Sequence, residues 1–182
     1  MTEIKKENPQ RMLSKSLLVH ALLELMEERP YNEINITDLS KKADLSRRTF
    51  YRHFATIDEV LDYVLIQISK QFSVYQAQQR PRTLKEIAFT FFSYWQQHRQ
   101  FLQVLKNNNL LYRLHNKFAI ISSNAKEEKA PVYTDVSLID YAISFTSGAL
   151  WNLLVKWLDN GAVQSPKEMS DIVECVLKHL TQ

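Results

Sequence analysis

Glycine is scarce, and this constrains the chain more than any other feature. Only Gly148 and Gly161 occur among its 182 residues. The tight turns that join neighbouring β-strands rely on glycine, because they need backbone conformations with positive φ. A chain with so little glycine has few places for such turns. The sequence therefore predicts an all-α protein.

Capping patterns mark the expected starts of the helices. A Ser or Thr followed three residues later by Glu is typical of a helix N-terminus, because each residue satisfies a free amide of the other. The pattern occurs at Thr56–Glu59, Thr83–Glu86 and Ser165–Glu168. Asn35 and Ser46 stand before two shorter segments and are further N-cap candidates.

These patterns, with apolar residues at spacings of three and four, predict nine helices. The first three form a predicted helix-turn-helix domain, residues 1–55. The other six form a predicted bundle for ligand binding and dimerisation, residues 56–182. The helices are expected at residues 11–29, 36–43, 47–54, 57–79, 84–98, 100–107, 109–122, 138–158 and 166–180, with a surface loop at 122–133.

Positive charge is concentrated between Lys41 and Phe54. This segment has five Lys and Arg residues and one acid, Asp44, a balance of five minus one, or +4, whereas the whole chain carries +3. Clustered cations gain affinity for duplex DNA by releasing the counterions that condense on its phosphates. The segment is therefore a candidate DNA-binding element.

The same segment has the apolar pattern of two short helices that meet at a turn. Its expected core residues are Leu39, Ala43, Leu45, Phe50 and Phe54, and the small Ala43 allows the two helices to cross closely. An arginine pair by itself is more often a solvated helix face. The combination with capped helices and a tight turn favours a helix-turn-helix.

The first turn of the second short helix carries Arg47, Arg48 and Thr49. When such a helix lies in the major groove, its first turn reaches the base edges. Arg can bond guanine in a bidentate manner, and Thr suits thymine. Tyr51 and His53 are better suited to phosphate oxygens.

The segment Leu45–Phe54 closely resembles the recognition-helix signature of the tetracycline-repressor (TetR/AcrR-type) family. Residues Ile34–Leu39 are similar to the segment that opens the second helix of that family, so the resemblance covers about residues 10–65. A weaker resemblance covers Trp157–Gly161 and Ser165–Met169. These segments are similar to the junction between the last two helices in one branch of the family. The resemblance implies DNA contacts from Thr37, Ser46, Arg47, Arg48, Thr49, Tyr51 and His53, with Ser46 also capping the recognition helix.

The chain departs from the family pattern at two places. Asp44 replaces the usual glycine of the turn, and Asp tolerates the left-handed geometry that the turn needs. Ile57–Asp58 replaces the usual Ser-Lys or Asp-Lys at the start of the fourth helix. A familiar phosphate-binding lysine is therefore missing.

The segment 138–158 is apolar on nearly every side, which is typical of a helix that is buried on every side. We expect a partner subunit to cover one side, in a homodimer with twofold symmetry. A monomer with a central long helix is the alternative. The expected interface residues are Ala149, Leu153, Trp157, Ile172, Val176 and Leu180.

Aromatic residues are dense between about residues 84 and 120 and recur in the long helix. They predict either a plain core or a pocket for an unknown small apolar or aromatic effector, which the resemblance favours. The candidate pocket residues are Phe91, Trp95, Phe101, Tyr112, Phe118, Phe145 and Trp151.

The sequence disfavours an enzyme and predicts no cofactor. Its histidines form no i, i+4 pair, and two glycines cannot build a phosphate-binding loop. The only cysteine, Cys175, is expected to be a buried packing residue in a cytoplasmic protein. Asp140 and Lys156 argue against a membrane span at 138–158.

We therefore expect a sequence-specific DNA-binding transcriptional regulator. The resemblance implies a repressor that binds a near-palindromic operator as a dimer and is released by its effector. The alternative is a non-enzymatic co-activator or adaptor of the same fold that acts through protein contacts.

Overall fold

The computed structural model describes residues 9–124 and 136–180, without the side chains of 118–124, 136, 137, 139 and 180. These residues form helices joined by short connections, and they contain no β-strand. This confirms the predicted all-α class. The helices are α1 (Pro9–Glu28), α2 (Ile36–Lys42), α3 (Arg47–His53), α4 (Ile57–Gln79), α5 (Leu84–Gln97), α6 (Arg99–Asn107), α7 (Leu111–Asn124), α8 (Val136–Asp159) and α9 (Pro166–Leu180), with a 3₁₀ turn at Tyr31–Glu33.

The helices begin where the capping residues predict. Thr83 and Glu86 form a reciprocal capping box at the start of α5. At α9, the Ser165 hydroxyl accepts from the Glu168 amide at 3.3 Å, and the Glu168 carboxylate accepts from the Ser165 amide at 2.7 Å. The predicted loop at 122–133 begins inside α7, and its residues 125–133 lie outside the described part of the chain.

The chain divides into two compact units, one ending at Gln67 and the other beginning at Ile68. The division falls inside α4, which therefore contributes its first half to one unit and its second half to the other. The predicted domain boundary between residues 55 and 56 stays a prediction.

The first unit has a core of fully buried side chains from α1 to α4. Its members include Leu18, Leu22, Leu39, Phe50, Val60, Leu61 and Leu65. Leu18 and Leu22 come from one face of α1, which explains why α1 packs against both short helices. This core fixes the orientation of α3.

The second unit has an aromatic core. The Phe72 ring on α4 contacts the rings of Phe91, Tyr94 and Trp95 on α5, with centroids 5.7, 5.1 and 6.0 Å away. The buried Tyr94 hydroxyl donates to the Ile68 carbonyl at 2.9 Å, and burial raises the pKa of Tyr94 to about 12. Helix α5 packs most extensively against α9.

None of the helices in the described ranges 9–124 and 136–180 is long and apolar enough to cross a membrane.

Candidate nucleic-acid interface

One face of α3 is anchored in the core of the first unit. Phe50 is fully buried and Phe54 nearly so, and their ring centroids lie 6.3 Å apart. The Phe54 ring also contacts the Tyr63 ring on α4 at 5.7 Å. Because these aromatic residues hold one side of α3 inward, its opposite side is presented to solvent.

The turn before α3 has the geometry that the sequence predicts. Asp44 adopts a left-handed backbone conformation with φ of 52°, and the Leu45 amide donates to the Ser40 carbonyl at 2.9 Å. Ala43 is buried at the end of α2, where a larger side chain would push the two short helices apart. Asp44 therefore replaces glycine without loss of the turn.

The outer face of α3 carries most of the predicted DNA-binding residues. Ser46, Arg47, Arg48, Tyr51 and Arg52 are exposed. The Tyr51 side chain is 53% exposed, and its ring packs edge-on against Phe50 with centroids 5.4 Å apart. This contact restricts the Tyr51 ring and leaves it on the surface.

Two hydroxyl groups lie at the N-terminus of α3. The Ser46 hydroxyl oxygen accepts from the Thr49 amide at 3.1 Å and lies 3.0 Å from the Thr49 hydroxyl oxygen. Thr37 is exposed in the first turn of α2, where the Asn35 side chain accepts from the Asp38 amide at 2.9 Å. The residues that cap the two helices thus lie beside residues with predicted DNA contacts.

The structure separates the cations of the segment into two groups. Lys42 forms ion pairs with Glu28 at 2.8 Å and Glu24 at 3.5 Å, and its hydrogen bond to Glu28 raises its pKa. Its charge therefore holds α2 against α1. The other cations, Lys41, Arg47, Arg48 and Arg52, have no carboxylate within ion-pair distance in the described ranges 9–124 and 136–180.

His53 differs from the other candidates. It is only partly exposed, and both of its ring nitrogens are buried from solvent. A phosphate contact from His53 would need a rotation of the side chain, so its role stays a prediction.

The structure does not gather the predicted pocket residues around one cavity. Phe91 and Trp95 fill the aromatic core, with ring centroids 6.2 Å apart. Trp151 is also buried, and its ring stacks on His115 at 4.8 Å.

The other predicted pocket residues are not buried in this way. Tyr112 and Phe145 are 60% and 68% exposed, and Phe101 is half-buried. The side chain of Phe118 lies outside the described set. Whether these residues enclose an effector pocket stays a prediction.

The predicted interface residues include both exposed and buried side chains. Ala149, Ile172 and Val176 are exposed, Leu153 is half-buried, and the side chain of Leu180 is outside the described set. Trp157, in contrast, is 2% exposed inside its own subunit. Its ring nitrogen donates to the Gln164 carbonyl at 3.0 Å, and its ring contacts Phe92 at 5.8 Å. Because of these contacts, Trp157 lies in the interior and not on the outer face of α8.

The exposed apolar stripe along α8 extends beyond the predicted interface residues. Leu138, Tyr141 and Phe145 are all exposed, at the helical spacing of three and four that continues to Ala149. The spacing itself is the signal that identifies this stripe. Cys175 was expected to be buried, but the structure exposes it beside Val176 on α9.

In the described part of the chain, no group of three or more His, Cys, Asp or Glu side chains has an arrangement that could hold a metal ion. The exposed surface of α3 is cationic, with Arg47, Arg48 and Arg52 open to solvent. A helix-turn-helix with an exposed cationic helix defines a DNA-binding regulator of transcription.

Sequence comparisons identify the family. The profile described as bacterial regulatory proteins, tetR family, matches residues 18–64, and the profile described as transcriptional regulator C-terminal region matches residues 82–179. The chain belongs to the tetR family of transcriptional regulators. No curated protein matches it significantly in sequence.

Solved structures share the fold. Lin0861 from Listeria innocua aligns with a TM-score of 0.71 at 19% identity, over 96% of this chain and 94% of that chain. The fatty acid degradation regulator FadR from Bacillus halodurans aligns with a TM-score of 0.58 at 16% identity, over 95% and 96%. The dihydroxyacetone kinase operon activator DhaS aligns with a TM-score of 0.55 at 16% identity, over 93% and 97%. At these identities the likeness concerns the fold alone.

Proposed function

We propose that this chain is a cytoplasmic repressor that binds a near-palindromic operator as a homodimer and is released by a small-molecule effector. The observation that carries the proposal is the exposed cationic face of α3, held outward by buried Phe50 and Phe54. The proposed DNA-contacting residues are Thr37, Ser46, Arg47, Arg48, Thr49, Tyr51 and His53.

Within this set, the residues have different tasks. Arg47 and Arg48 stand at the start of α3, where an arginine fork can bond guanine O6 and N7. Tyr51 offers a hydroxyl to a phosphate, which fixes the position of the helix without reading sequence. Outside this set, the exposed Lys41 and Arg52 add positive charge that attracts any duplex.

The proposed dimer is supported by the apolar surface of α8 and α9. Tyr141 and Phe145 on α8 and Ile172 and Val176 on α9 are all exposed in the isolated chain. Large apolar side chains exposed at helical spacing, as on each of these two helices, are typical of a protein interface. A twofold dimer would present two α3 helices about 34 Å apart, or a multiple of that distance, to successive major grooves.

The proposed release depends on α4. This helix starts at Ile57, after the connection that follows α3, and ends at Gln79 in the second unit. An effector that shifts α4 would change the spacing of the two α3 helices. A coupling of about 1–3 kcal/mol would lower operator affinity by roughly 5- to 150-fold.

An adaptor that acts through protein contacts is the second candidate. The solved structure of an operon activator shares the fold, and Met12, Leu13 and Leu17 form an exposed apolar patch on α1. The exposed arginines of α3 favour direct DNA binding over this alternative.

Selection of bound sequences from a random duplex pool tests the proposal. We expect an enriched near-palindrome whose affinity exceeds that of random duplex by at least about a thousandfold. Arg48→Ala should weaken binding to this site with an unchanged melting temperature, because Arg48 is exposed. The matched control is Lys178→Ala, a cation on α9. Weak binding without sequence preference would favour the adaptor.

The sign of regulation needs a separate measurement. Transcription in vitro from a promoter that contains the selected site should fall when the protein is added. A rise in transcription would overturn the repressor assignment while leaving DNA binding intact.

A further inference from the structure

A charged contact joins the end of α1 to the start of α2. Arg29 follows the last residue of α1, and its Nη2 donates to the Asp38 carboxylate at 2.7 Å. Asp38 lies in the first turn of α2, directly after Thr37, one of the proposed DNA-contacting residues. We propose that Arg29 is a positioning residue for DNA binding, which holds and neutralises the Asp38 carboxylate so that it does not repel the phosphates at Thr37.

The contact is part of a small network around one carboxylate oxygen. Asp38 Oδ2 accepts from Arg29 and also from the side-chain amide of Asn35, at 2.8 Å. The Asp38 backbone amide in turn donates to the side-chain oxygen of Asn35, the N-cap of α2, at 2.9 Å. Arg29 therefore holds the carboxylate between the cap of its own helix and the end of α1.

Stability alone does not account for an arginine at position 29. The Arg29 and Asp38 side chains are 33% and 36% exposed, and an ion pair that is partly open to solvent contributes little to stability. The Arg29 Nε is buried and has no hydrogen-bond partner among the residues that the structure describes, which is destabilising. The charge of Arg29 is better explained by its effect on Asp38.

Asp38 needs a cation because of its position. Duplex DNA presents a dense line of negative phosphates, and a like charge placed near them disfavours binding. The Cα atoms of consecutive residues lie about 3.8 Å apart, and charges act over about 10 Å in about 0.1 M salt. An unpaired Asp38 would therefore act on any phosphate that Thr37 contacts, whereas the pair with Arg29 has no net charge.

Three variants separate this electrostatic role from a purely structural one. Arg29→Gln should weaken binding to the selected operator about tenfold, because Asp38 loses its cation. The double variant Arg29→Gln, Asp38→Asn should regain most of that loss, because no acid remains beside Thr37. Asp38→Asn alone should bind at least as tightly as the unaltered protein. Fluorescence anisotropy of a labelled operator duplex measures these affinities.

The salt dependence is a second readout, which a structural role would not change. Screening shortens the range of charges as the salt concentration rises. The dissociation constant of Arg29→Gln, divided by that of the unaltered protein, should therefore fall towards one between about 50 and about 300 mM salt.

Lys106→Gln is the matched control. Lys106 forms an ion pair with Asp159 at the same distance of 2.7 Å, but this pair belongs to the second unit. The variant should bind the operator like the unaltered protein. Arg29→Lys keeps the charge and should also bind nearly normally, and it replaces Arg29→Gln in the comparison if melting curves show that Arg29→Gln is unfolded.

Three results would overturn the inference: normal binding by Arg29→Gln, a double variant no tighter than Arg29→Gln, or a large loss in Arg29→Lys. A double variant that stays weak would mean that Arg29 acts through the fold or contacts the DNA itself. A loss that is equal at low and high salt would exclude the electrostatic role as well.

The inference rests on the proposed function, and the two can fail separately. If the unaltered protein binds no operator, the proposed function fails, and the role of Arg29 fails with it. If the unaltered protein binds its operator and the double variant is not restored, only the role of Arg29 is refuted.

Discussion

The Ser46 hydroxyl oxygen accepts a hydrogen bond from the Thr49 amide at 3.1 Å, so one residue both caps α3 and stands in its proposed DNA-binding surface. Ser46→Ala should lower the free energy of unfolding by about 1 kcal/mol, because the first turn loses its cap. Chemical denaturation measures this change. Operator affinity should fall as well, since the cap orders Arg47 and Arg48.

A second substitution separates the two roles of Ser46. Aspartate is a good N-cap, so Ser46→Asp should retain the stability that Ser46→Ala loses. Its negative charge next to a phosphate should nevertheless weaken DNA binding. Normal DNA affinity in Ser46→Asp would place this end of α3 away from the DNA backbone.

A buried hydroxyl in the helix-turn-helix offers a stabilising substitution. The Ser40 hydroxyl oxygen on α2 is buried and has no hydrogen-bond partner in the described structure, and an unsatisfied buried group is destabilising. Ser40→Ala should therefore raise the free energy of unfolding by about 1 kcal/mol. Ser14→Ala is the control, because the buried Ser14 hydroxyl donates to the Gln10 carbonyl at 3.1 Å. Equal effects of the two substitutions in thermal denaturation would contradict this account.

The sequence predicted the helices well because the interactions that start them are local. Thr83 and Glu86 lie three residues apart, and their reciprocal hydrogen bonds depend on no distant contact. The same holds for Ser46 and for the turn at Asp44. The cationic surface was also predictable, because Arg47 and Arg48 follow a capping residue and precede the buried Phe50.

The orientation of α8 could not be predicted in this way. Tyr141 and Trp157 are both apolar aromatic residues of one helix, yet the first is exposed and the second is buried. Trp157 is buried because its ring packs against Phe92 and its ring nitrogen donates a hydrogen bond to the Gln164 carbonyl. Composition likewise does not distinguish rings that enclose a cavity from rings that fill it, as Phe91 and Trp95 do.

The different positions of Trp157 and Val176 can be tested by one pair of substitutions. Trp157→Phe removes the hydrogen bond to Gln164 and should lower the free energy of unfolding by about 1–3 kcal/mol. It should leave the dissociation constant of the proposed dimer unchanged, because Trp157 is buried within its own chain. Sedimentation equilibrium measures that constant.

Val176→Lys, in contrast to Trp157→Phe, should change dimerisation and not the stability of the folded chain. It places a charge on the exposed apolar face of α9 and should weaken the proposed dimer strongly, with little effect on the fold of each subunit. A monomeric unaltered protein, or an unaffected dimer in Val176→Lys, would refute the proposed interface.

Two histidines of the second unit should make stability depend on pH. Burial lowers the pKa of His98, which lies against the Tyr94 ring at 4.5 Å, and it lowers the pKa of His115, which stacks on Trp151. In the unfolded chain both side chains bind a proton near the ordinary pKa of about 6.5, whereas in the folded chain they bind it only at lower pH. The unfolded state therefore binds more protons just below pH 6.5, and folding stability falls as the pH decreases through that range.

Melting temperatures measured between about pH 8 and pH 5 should stay level at the upper end and decline below about 6.5. The double variant His98→Asn, His115→Gln should show a shallower decline. The same slope in the variant and the unaltered protein would assign the pH dependence to other groups.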